Sequence, residues 1–327
     1  MAAGRAAYRG PMVGVFVSDV VWDAVGDRLT AAVPDLDRVR FVPGVHVSDD
    51  DMARVHVAFL SMDMWPHSTP SYMKVCLEVP NLRWLHSGSA GVDHPVFRML
   101  IDRGTRLTNS SGASGRSIAH HVVMSLLALR RDLPGFLRDQ AAGQWRTRDV
   151  GDLEGTTVGV LGMGPIGAES ARLAVELGMH VVGMRRTVAG DEPCETWTLD
   201  RLHELLPQLD AVVLALPLAA ETRHLIGAHE LALLPSGAHL VNVGRGELID
   251  EAALIDALRS GHIGAAALDV TEVEPLPVDS PLWALPNVIV TPHSSGSTAS
   301  TLRRATEFFV EEFERFVRGE PFSREVL

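Results

Sequence analysis

The sequence predicts an α/β protein of two domains, each a parallel sheet flanked by helices. Three observations support this prediction. A glycine-rich turn joins a predicted strand to a predicted helix, strands alternate with helical stretches along the chain, and polar residues repeatedly follow the carboxyl ends of strands. With 327 residues, the chain is long enough for two domains that each bury a core of their own.

The first predicted unit has no glycine motif for phosphate. Its predicted elements are strands at 11–18, 40–42, 55–60 and 82–87, with a helix at 23–32. The last of these strands runs into the small residues 87–91, where the backbone N–H groups of Ala90 and Gly91 can face an anion. A loop that simply turns the chain is an equally good interpretation of these residues.

A short strand at 107–109 and a Ser- and Gly-rich stretch at 110–117 predict a crossing between domains. The helix that follows, at 118–131, contains His120 and His121, for which we expect structural roles. A last helix at 300–318 carries apolar residues at helical spacing and is expected to return to the first unit. The predicted domains are therefore 1–108 with 297–327, which is discontinuous, and 109–296.

The second predicted unit contains the glycine-rich turn. A strand at 158–161 stops at Gly162 and a helix is predicted at 168–177, which is the context that a G-x-G-x-x-G sequence needs. Gly162 permits the tight turn, Gly164 lets a pyrophosphate approach the backbone, and Gly167 lets helix and strand pack closely. The sequence thus predicts a Rossmann nucleotide-binding domain, although such a turn can also be purely structural.

The next predicted strand, 179–184, is followed by Arg185, Arg186 and Thr187. An acid at this position would accept hydrogen bonds from a free ribose 2′-hydroxyl, whereas guanidinium groups suit a 2′-phosphate. NADP(H) is therefore predicted over NAD(H), which stays possible if the arginines only solvate the end of the strand.

Three further residues lie at or just beyond predicted strand ends: Arg245, Glu274 and His293. An arginine can clamp a carboxylate with two parallel hydrogen bonds. A histidine can donate and recover a proton near neutral pH, and a carboxylate behind it can hold the ring. Together they suit hydride transfer to a 2-oxo acid, but alone such an arginine is usually a surface residue and such a histidine is usually satisfied in a turn.

Six ordered blocks of sequence resemble the D-isomer-specific 2-hydroxyacid dehydrogenases over nearly the whole chain. The blocks are residues 89–93, 155–167, 216–222, 242–246, 267–277 and 286–293. The resemblance implies a flavodoxin-like substrate domain beside the Rossmann domain. It also implies that Arg245 clamps the substrate carboxylate, that His293 is the acid/base, and that Glu274 is its partner.

The resemblance implies further site residues. Ala90, Gly91 and Met64 are expected at the substrate, although core packing explains Met64 equally well. The expected cofactor-binding residues are Gly162, Met163, Gly164, Pro165, Ile166, Gly167, Arg185, Arg186, Thr187, Leu216, Pro217, Thr222, Val243, Gly244, Asp269, His293 and Gly296. A homodimer is also implied.

Departures from the family pattern keep alternatives open. Arg185 replaces the acid of NAD-preferring members, and His120 replaces a usual glutamate with an effect that the sequence does not reveal. Formate oxidation on the same fold is disfavoured, because those enzymes place a glutamine at the position of Glu274. Phosphite oxidation, or a nicotinamide-sensing corepressor or scaffold, stays an alternative.

Composition excludes other classes. Hydrophobic residues make up 46% and charged residues 21%, which is typical of a globular protein and not of a disordered one. Acidic residues outnumber basic ones by 41 to 29, so partners such as nucleic acid and anionic membranes are not expected. Two cysteines do not predict a disulfide framework or a metal site. Residues 1–10 lack the apolar core of a secretory signal, and a cytoplasmic location is expected.

Overall fold

The computed structural model describes residues 12–326, so the predictions that fall on residues 1–11 lie outside the described residues. The chain forms two compact units. One comprises the residues up to Ser114 together with those from Ser297 onward, and the other is Gly115–Gly296. Among the described residues, no helix is both long and apolar enough to cross a membrane.

The first unit is a parallel sheet with helices on both faces. Within residues 12–326 its strands are β1 (Val13–Val17), β2 (Leu36–Arg40), β3 (Val57–Leu60), β4 (Trp84–Ser87) and β5 (Arg106–Asn109), in the order β2-β1-β3-β4-β5. Its helices are α1 (Asp19–Ala32), α2 (Asp49–Arg54), α3 (Thr69–Glu78), α4 (Pro95–Asp102) and α11 (Ala299–Arg318). This strand order is the flavodoxin-like one, which confirms the predicted fold class.

Alternate side chains of these strands fill two cores, one on each face of the sheet. Phe16 and Leu85 pack with Tyr72 on one face, whereas Val15 and Trp84 belong to the core on the other face. This alternation follows from the period of two in an extended chain.

The last helix, α11, packs on the second of these cores. Phe309 and Phe313 are fully buried there, and the Phe309 ring stacks on Trp84 with centroids 5.5 Å apart. Burying each such side chain contributes about 1.5–3 kcal/mol. These contacts hold the end of the chain on the first unit.

The second unit is a larger parallel sheet. Within residues 12–326 its strands are β6 (Thr157–Leu161), β7 (His180–Arg185), β8 (Glu195–Thr198), β9 (Ala211–Leu214), β10 (Ala238–Asn242), β11 (Ile263–Leu268) and β12 (Val288–Val290). The order is β12-β11-β10-β9-β6-β7-β8, which contains the doubly wound Rossmann arrangement. Its helices are α5 (Gly115–Arg130), α6 (Leu133–Ala141), α7 (Pro165–Glu176), α8 (Leu202–Leu205), α9 (Ala228–Leu233) and α10 (Glu251–Arg259).

Most predicted elements are present, with shifted ends. Helix α1 begins four residues before the predicted start, because Ser18 Oγ caps it by accepting the Val21 N–H. Helix α7 begins at Pro165, a residue suited to a first turn. The strand predicted at 40–42 was wrong: β2 ends at Arg40, and Phe41 is buried beyond the strand.

Candidate active site

The glycine-rich turn lies between β6 and α7 and leaves space beside the backbone. Gly162 has a φ of +102°, which glycine adopts readily, and a Cβ on Gly167 would lie 1.7 Å from the Gly162 carbonyl oxygen. In contrast, a Cβ on Gly164 would meet no protein atom within 4 Å. Gly164 is also the N-cap of α7 and has no side chain that could cap the first N–H groups of this helix. The turn therefore fits a pyrophosphate at the N-terminus of this helix.

Neighbouring predicted cofactor residues surround this turn. Met163 is buried against β7, where its sulfur would lie 2.6 Å from a Cβ on Gly183. After β9, Thr222 Oγ1 donates to the Pro217 carbonyl oxygen at 2.8 Å and accepts the Ala219 N–H. This network fixes the loop that begins at Leu216, which is 7% exposed.

Arg185 is the last residue of β7, and it already has an anionic partner. Its Nη1 donates to Glu192 Oε1 at 2.7 Å, and the Glu192 side chain is only 4% exposed. Arg186 and Thr187 are exposed. Glu192 was not predicted as a site residue, although an acid seven residues after Arg185 was a signal that could have identified it.

Arg245, Glu274 and His293 follow three neighbouring strands. Arg245 comes after β10, Glu274 after β11 and His293 after β12, and these strands lie side by side and parallel. Their carboxyl ends share one edge of the sheet, where open α/β sheets bind ligands.

The loop that carries Arg245 is held by hydrogen bonds and by close packing. The Asn242 amide accepts the Gly244 N–H at 3.0 Å and donates to the Arg245 carbonyl oxygen at 2.8 Å. A Cβ on Gly246 would lie 2.0 Å from the Thr271 carbonyl carbon, so this loop lies directly against the loop that follows β11. The Arg245 guanidinium is partly exposed and donates from Nη1 to the Gly244 carbonyl oxygen.

His293 and Glu274 form a direct pair. Nδ1 of His293 lies 2.8 Å from Oε2 of Glu274, while Oε1 of Glu274 accepts the Thr271 N–H at 3.3 Å. Both side chains of the pair are about one-third exposed, at 37% and 36%. A carboxylate that binds Nδ1 assigns proton transfer to the other ring nitrogen, Nε2.

Asp269 organises the loop that carries His293. Its carboxylate accepts hydrogen bonds from Thr291 Oγ1 at 2.6 Å, the Ser294 N–H at 2.9 Å and the Ser295 N–H at 3.0 Å. Its backbone carbonyl oxygen also accepts the His293 N–H at 2.8 Å. The loop thus wraps around one buried carboxylate, and His293 adopts a φ of +49° within it.

Burial by itself raises the pKa of the Asp269 carboxyl. Hydrogen bonds from Ser295, Thr291 and Ser294 outweigh that effect and hold the pKa below its usual range. Asp269 is therefore charged at neutral pH, which strengthens the bonds that shape the His293 loop.

The remaining predicted residues have varied surroundings. His120 is exposed on α5, whereas His121 Nε2 lies 3.4 Å from Thr291 Oγ1. Val243 is buried, and Gly296 ends the second unit.

In the first unit, the small residues after β4 form a braced loop. Ser89 Oγ donates to the Gly91 carbonyl oxygen at 2.9 Å, and the Asn109 amide donates to the Ala90 carbonyl oxygen at 2.9 Å. In the part of the chain that the structure describes, the N–H groups of Ala90 and Gly91 donate no hydrogen bond. They therefore remain as donors for an anion. Met64 is 4% exposed and packs in the core of this unit, the role that its residue type allowed equally well.

Known proteins resemble the chain throughout. A family model described as D-isomer specific 2-hydroxyacid dehydrogenase, NAD binding domain, matches residues 123–295. The chain is 37% identical over 243 residues to D-3-phosphoglycerate dehydrogenase of Methanocaldococcus jannaschii, which covers 73% of the chain but only 46% of that longer protein. It is 33% identical over 294 residues to glyoxylate/hydroxypyruvate reductase B of Citrobacter koseri, covering 87% of the chain and 90% of the relative.

A solved structure shares the fold. The D-isomer specific 2-hydroxyacid dehydrogenase from Xanthobacter autotrophicus, crystallised with NADPH and MES, has a TM-score of 0.76 and 37% identity. The alignment covers 96% of this chain and 98% of that one.

Proposed function

This chain belongs to the D-isomer specific 2-hydroxyacid dehydrogenases, and from that premise we propose that it reduces a short 2-oxo acid to the D-2-hydroxy acid with NADPH. Membership makes it an oxidoreductase that transfers hydride between a nicotinamide cofactor and a 2-hydroxy acid. The acid substrate, the preference for NADPH and the residue roles are the proposal.

The observation that carries the proposal is the pairing of His293, which follows β12, with Glu274, which follows β11; β11 lies beside β10, the strand that ends before Arg245. We assign Arg245 to the substrate carboxylate, because a guanidinium can bind it with two parallel bonds. His293 donates the proton that the developing alkoxide needs, and Glu274 orients the ring and stabilises its charged form. The bound nicotinamide supplies the hydride.

We also assign the second unit to the dinucleotide and the first unit to the substrate. The glycine turn with open space at Gly164 supports the first assignment. The donors of Ala90 and Gly91 support the second, since backbone N–H groups of this kind can bind a carboxylate. Arg185 and Arg186 support NADP(H), because guanidinium groups suit a 2′-phosphate. The similar Xanthobacter protein was crystallised with NADPH.

A homodimer is part of the proposal. Helices α5 and α6 and the segment after them expose large apolar side chains, more than a monomer surface usually shows in one stretch. These side chains are Met124, Leu127, Leu133, Phe136, Leu137 and Trp145, the last of which is 97% exposed. Light scattering at several protein concentrations measures the molar mass in solution. The mass of a monomer at every concentration would refute the homodimer.

The decisive experiment is a panel of steady-state rates. Glyoxylate, hydroxypyruvate, pyruvate and a bulkier 2-oxo acid are each tested with NADPH and with NADH, and phosphite and formate oxidation are tested with NADP⁺. We expect reduction of at least one 2-oxo acid to its D product, faster with NADPH. His293→Asn should abolish it, whereas His180→Asn, at the opposite end of the sheet, should not. Activity on phosphite alone, or on none of these, would overturn the proposal.

A further inference from the structure

An anion-binding cradle lies immediately after β7, and the protein fills it with its own carboxylate. Three donors converge on Glu192. Oε1 accepts the Ala189 N–H and Arg185 Nη1, both at 2.7 Å, and Oε2 accepts the Gly190 N–H at 2.8 Å. Two backbone N–H groups with a guanidinium form the kind of concave donor set that binds anions.

The carboxylate in this cradle is charged in any practical assay. The Ala189 N–H, the Gly190 N–H and the Arg185 guanidinium lower the pKa of Glu192 to about 2, although burial opposes them. The residues at 186–191 around it are exposed, whereas the Glu192 side chain is 4% exposed, so an anion from solvent reaches the donors only by displacing this carboxylate. An incoming anion would therefore compete with a permanent negative charge.

The cradle lies where the proposed cofactor would place its distinguishing group. In a dinucleotide-binding fold, the end of the second strand faces the adenosine ribose, and here that end is Arg185. A 2′-phosphate would seek the donors that Glu192 now occupies. Arg185 and Arg186 are balanced by Asp191 and Glu192, so this stretch presents no net positive charge.

We propose that Glu192 is a tethered competitor of the 2′-phosphate and thereby sets the NADPH-to-NADH preference of this enzyme. The inference rests on the proposed function for the location of the cofactor. NADPH must displace the Glu192 carboxylate from Arg185 and from the loop N–H groups, whereas NADH, which lacks the phosphate, need not. Glu192 therefore moderates the preference that the two arginines create.

The test is direct binding to Glu192→Gln, which keeps the size of the side chain and an acceptor oxygen but removes the charge. Dissociation constants are measured by titration calorimetry for NADPH, NADH, adenosine 2′,5′-bisphosphate and AMP. We expect tighter binding of NADPH and of the bisphosphate by about tenfold, since a charge-assisted donor set becomes free. NADH and AMP should change less than twofold.

Two controls isolate the contact. Asp191→Asn removes the same charge from the adjacent position and should give at most a small part of the effect. In an Arg185→Gln background, Glu192→Gln should no longer tighten NADPH, because the shared donor is absent. If Glu192→Gln lowers the melting temperature, Glu192→Ser replaces it, since its hydroxyl can still accept a loop N–H.

Weaker NADPH binding by the folded variant would overturn the inference, because it would show that the carboxylate shapes the loop for the cofactor. Equal shifts for NADPH and NADH would also overturn it. The fragment titrations separate this result from the proposed reaction. If no 2-oxo acid is reduced but the variant binds the bisphosphate more tightly, the proposed reaction is refuted and the competitor role of Glu192 stands. If a 2-oxo acid is reduced but the affinity for the bisphosphate does not change, only the competitor role is refuted.

Discussion

Replacing Asp269 by asparagine tests whether one buried carboxylate positions His293, the proposed acid/base. Asp269 is 2% exposed and accepts hydrogen bonds from Thr291 Oγ1, the Ser294 N–H and the Ser295 N–H. Asparagine has nearly the same shape but only one acceptor oxygen, so its amide nitrogen cannot replace the oxygen that Ser295 uses at 3.0 Å.

The stability cost follows from this geometry. The Ser295 N–H keeps only its longer contact to Oδ1, at 3.2 Å, and meets an amide N–H donor where Oδ2 was. A buried donor left poorly satisfied in this way costs about 1–3 kcal/mol. At about 2 kcal/mol, the melting temperature of a unit of this size should fall by about 4–8 °C.

The cost should also depend on pH. The pKa of Asp269 is lower in the folded protein than in the unfolded chain, so its carboxylate stabilises the fold above its unfolded pKa of about 3.9. This contribution is lost as the pH falls through the folded pKa. The difference in unfolding free energy between wild type and variant should therefore be constant near neutral pH and shrink below about pH 4.

Activity should fall more steeply than stability. The His293 N–H donates to the Asp269 carbonyl oxygen, and the loop around the carboxylate fixes the ring beside Glu274. A displacement of about 1 Å in such a group can cost on the order of 100-fold in rate. We therefore expect kcat on the preferred 2-oxo acid to fall by about that factor at a temperature where the variant is folded.

The assay combines calorimetric melting with steady-state kinetics. Asp210→Asn is the matched control: Asp210 accepts the Thr157 N–H at 2.8 Å at the amino edge of the same sheet, far along the strands from the site. It should lower stability modestly and leave kcat unchanged. Wild-type kcat in a folded Asp269→Asn protein would refute the positioning role, and an unchanged melting temperature would refute the hydrogen-bond estimate.

Four further substitutions test the proposed site. Arg245→Lys keeps the charge but cannot form two parallel hydrogen bonds with a carboxylate, so KM for the 2-oxo acid should rise about 10- to 100-fold while NADPH binding is kept. Unchanged kinetics would contradict the assignment of Arg245 to the substrate carboxylate. Glu274→Gln loses a charge-assisted bond to His293, so kcat should fall by at least about tenfold without loss of NADPH binding, and an unaltered kcat would contradict the pairing. Gly167→Ala should misfold or melt early, because its Cβ would lie 1.7 Å from a carbonyl oxygen, whereas Gly164→Ala should fold normally and bind NADPH weakly. Equal behaviour of the two glycine variants would contradict a pyrophosphate site at the turn.

The sequence predicted elements well where burial dictated the residue types. Strand β6 and helix α11 lie within one residue of the predicted ends, because a buried apolar run defines the strand and buried residues at helical spacing define the helix. Helix α2 was not predicted: it carries three aspartates in its first turn and buries none of its residues, so it shows no apolar period. The strand β2 was displaced in the prediction because the buried Phe41 lies just beyond it.

Contacts made by loops could not be predicted from the sequence. The positions of Arg245, Glu274 and His293 at strand ends could be predicted, since parallel strands end at one edge of a sheet. The shape of the loop around Asp269 could not, because it depends on three donors that lie 22 to 26 residues away in sequence. The pairing of Arg185 with Glu192 likewise depends on how a seven-residue loop folds back.

Asp269 and Glu192 make the same kinds of hydrogen bond, but we expect one to be structural and the other to be displaced by a ligand. Each is a carboxylate that accepts backbone N–H groups in a loop after a strand, and each has a lowered pKa. The donors of Asp269 belong to the loop that carries His293, so no ligand can take the place of its carboxylate without disturbing that loop. One donor of Glu192 is the side chain of Arg185, which can turn toward a ligand, and the surrounding loop is exposed. Removing the first charge should therefore cost stability and rate, whereas removing the second should increase affinity for a phosphate. If both variants only lost stability, the distinction between a structural and an exchangeable anion would be wrong.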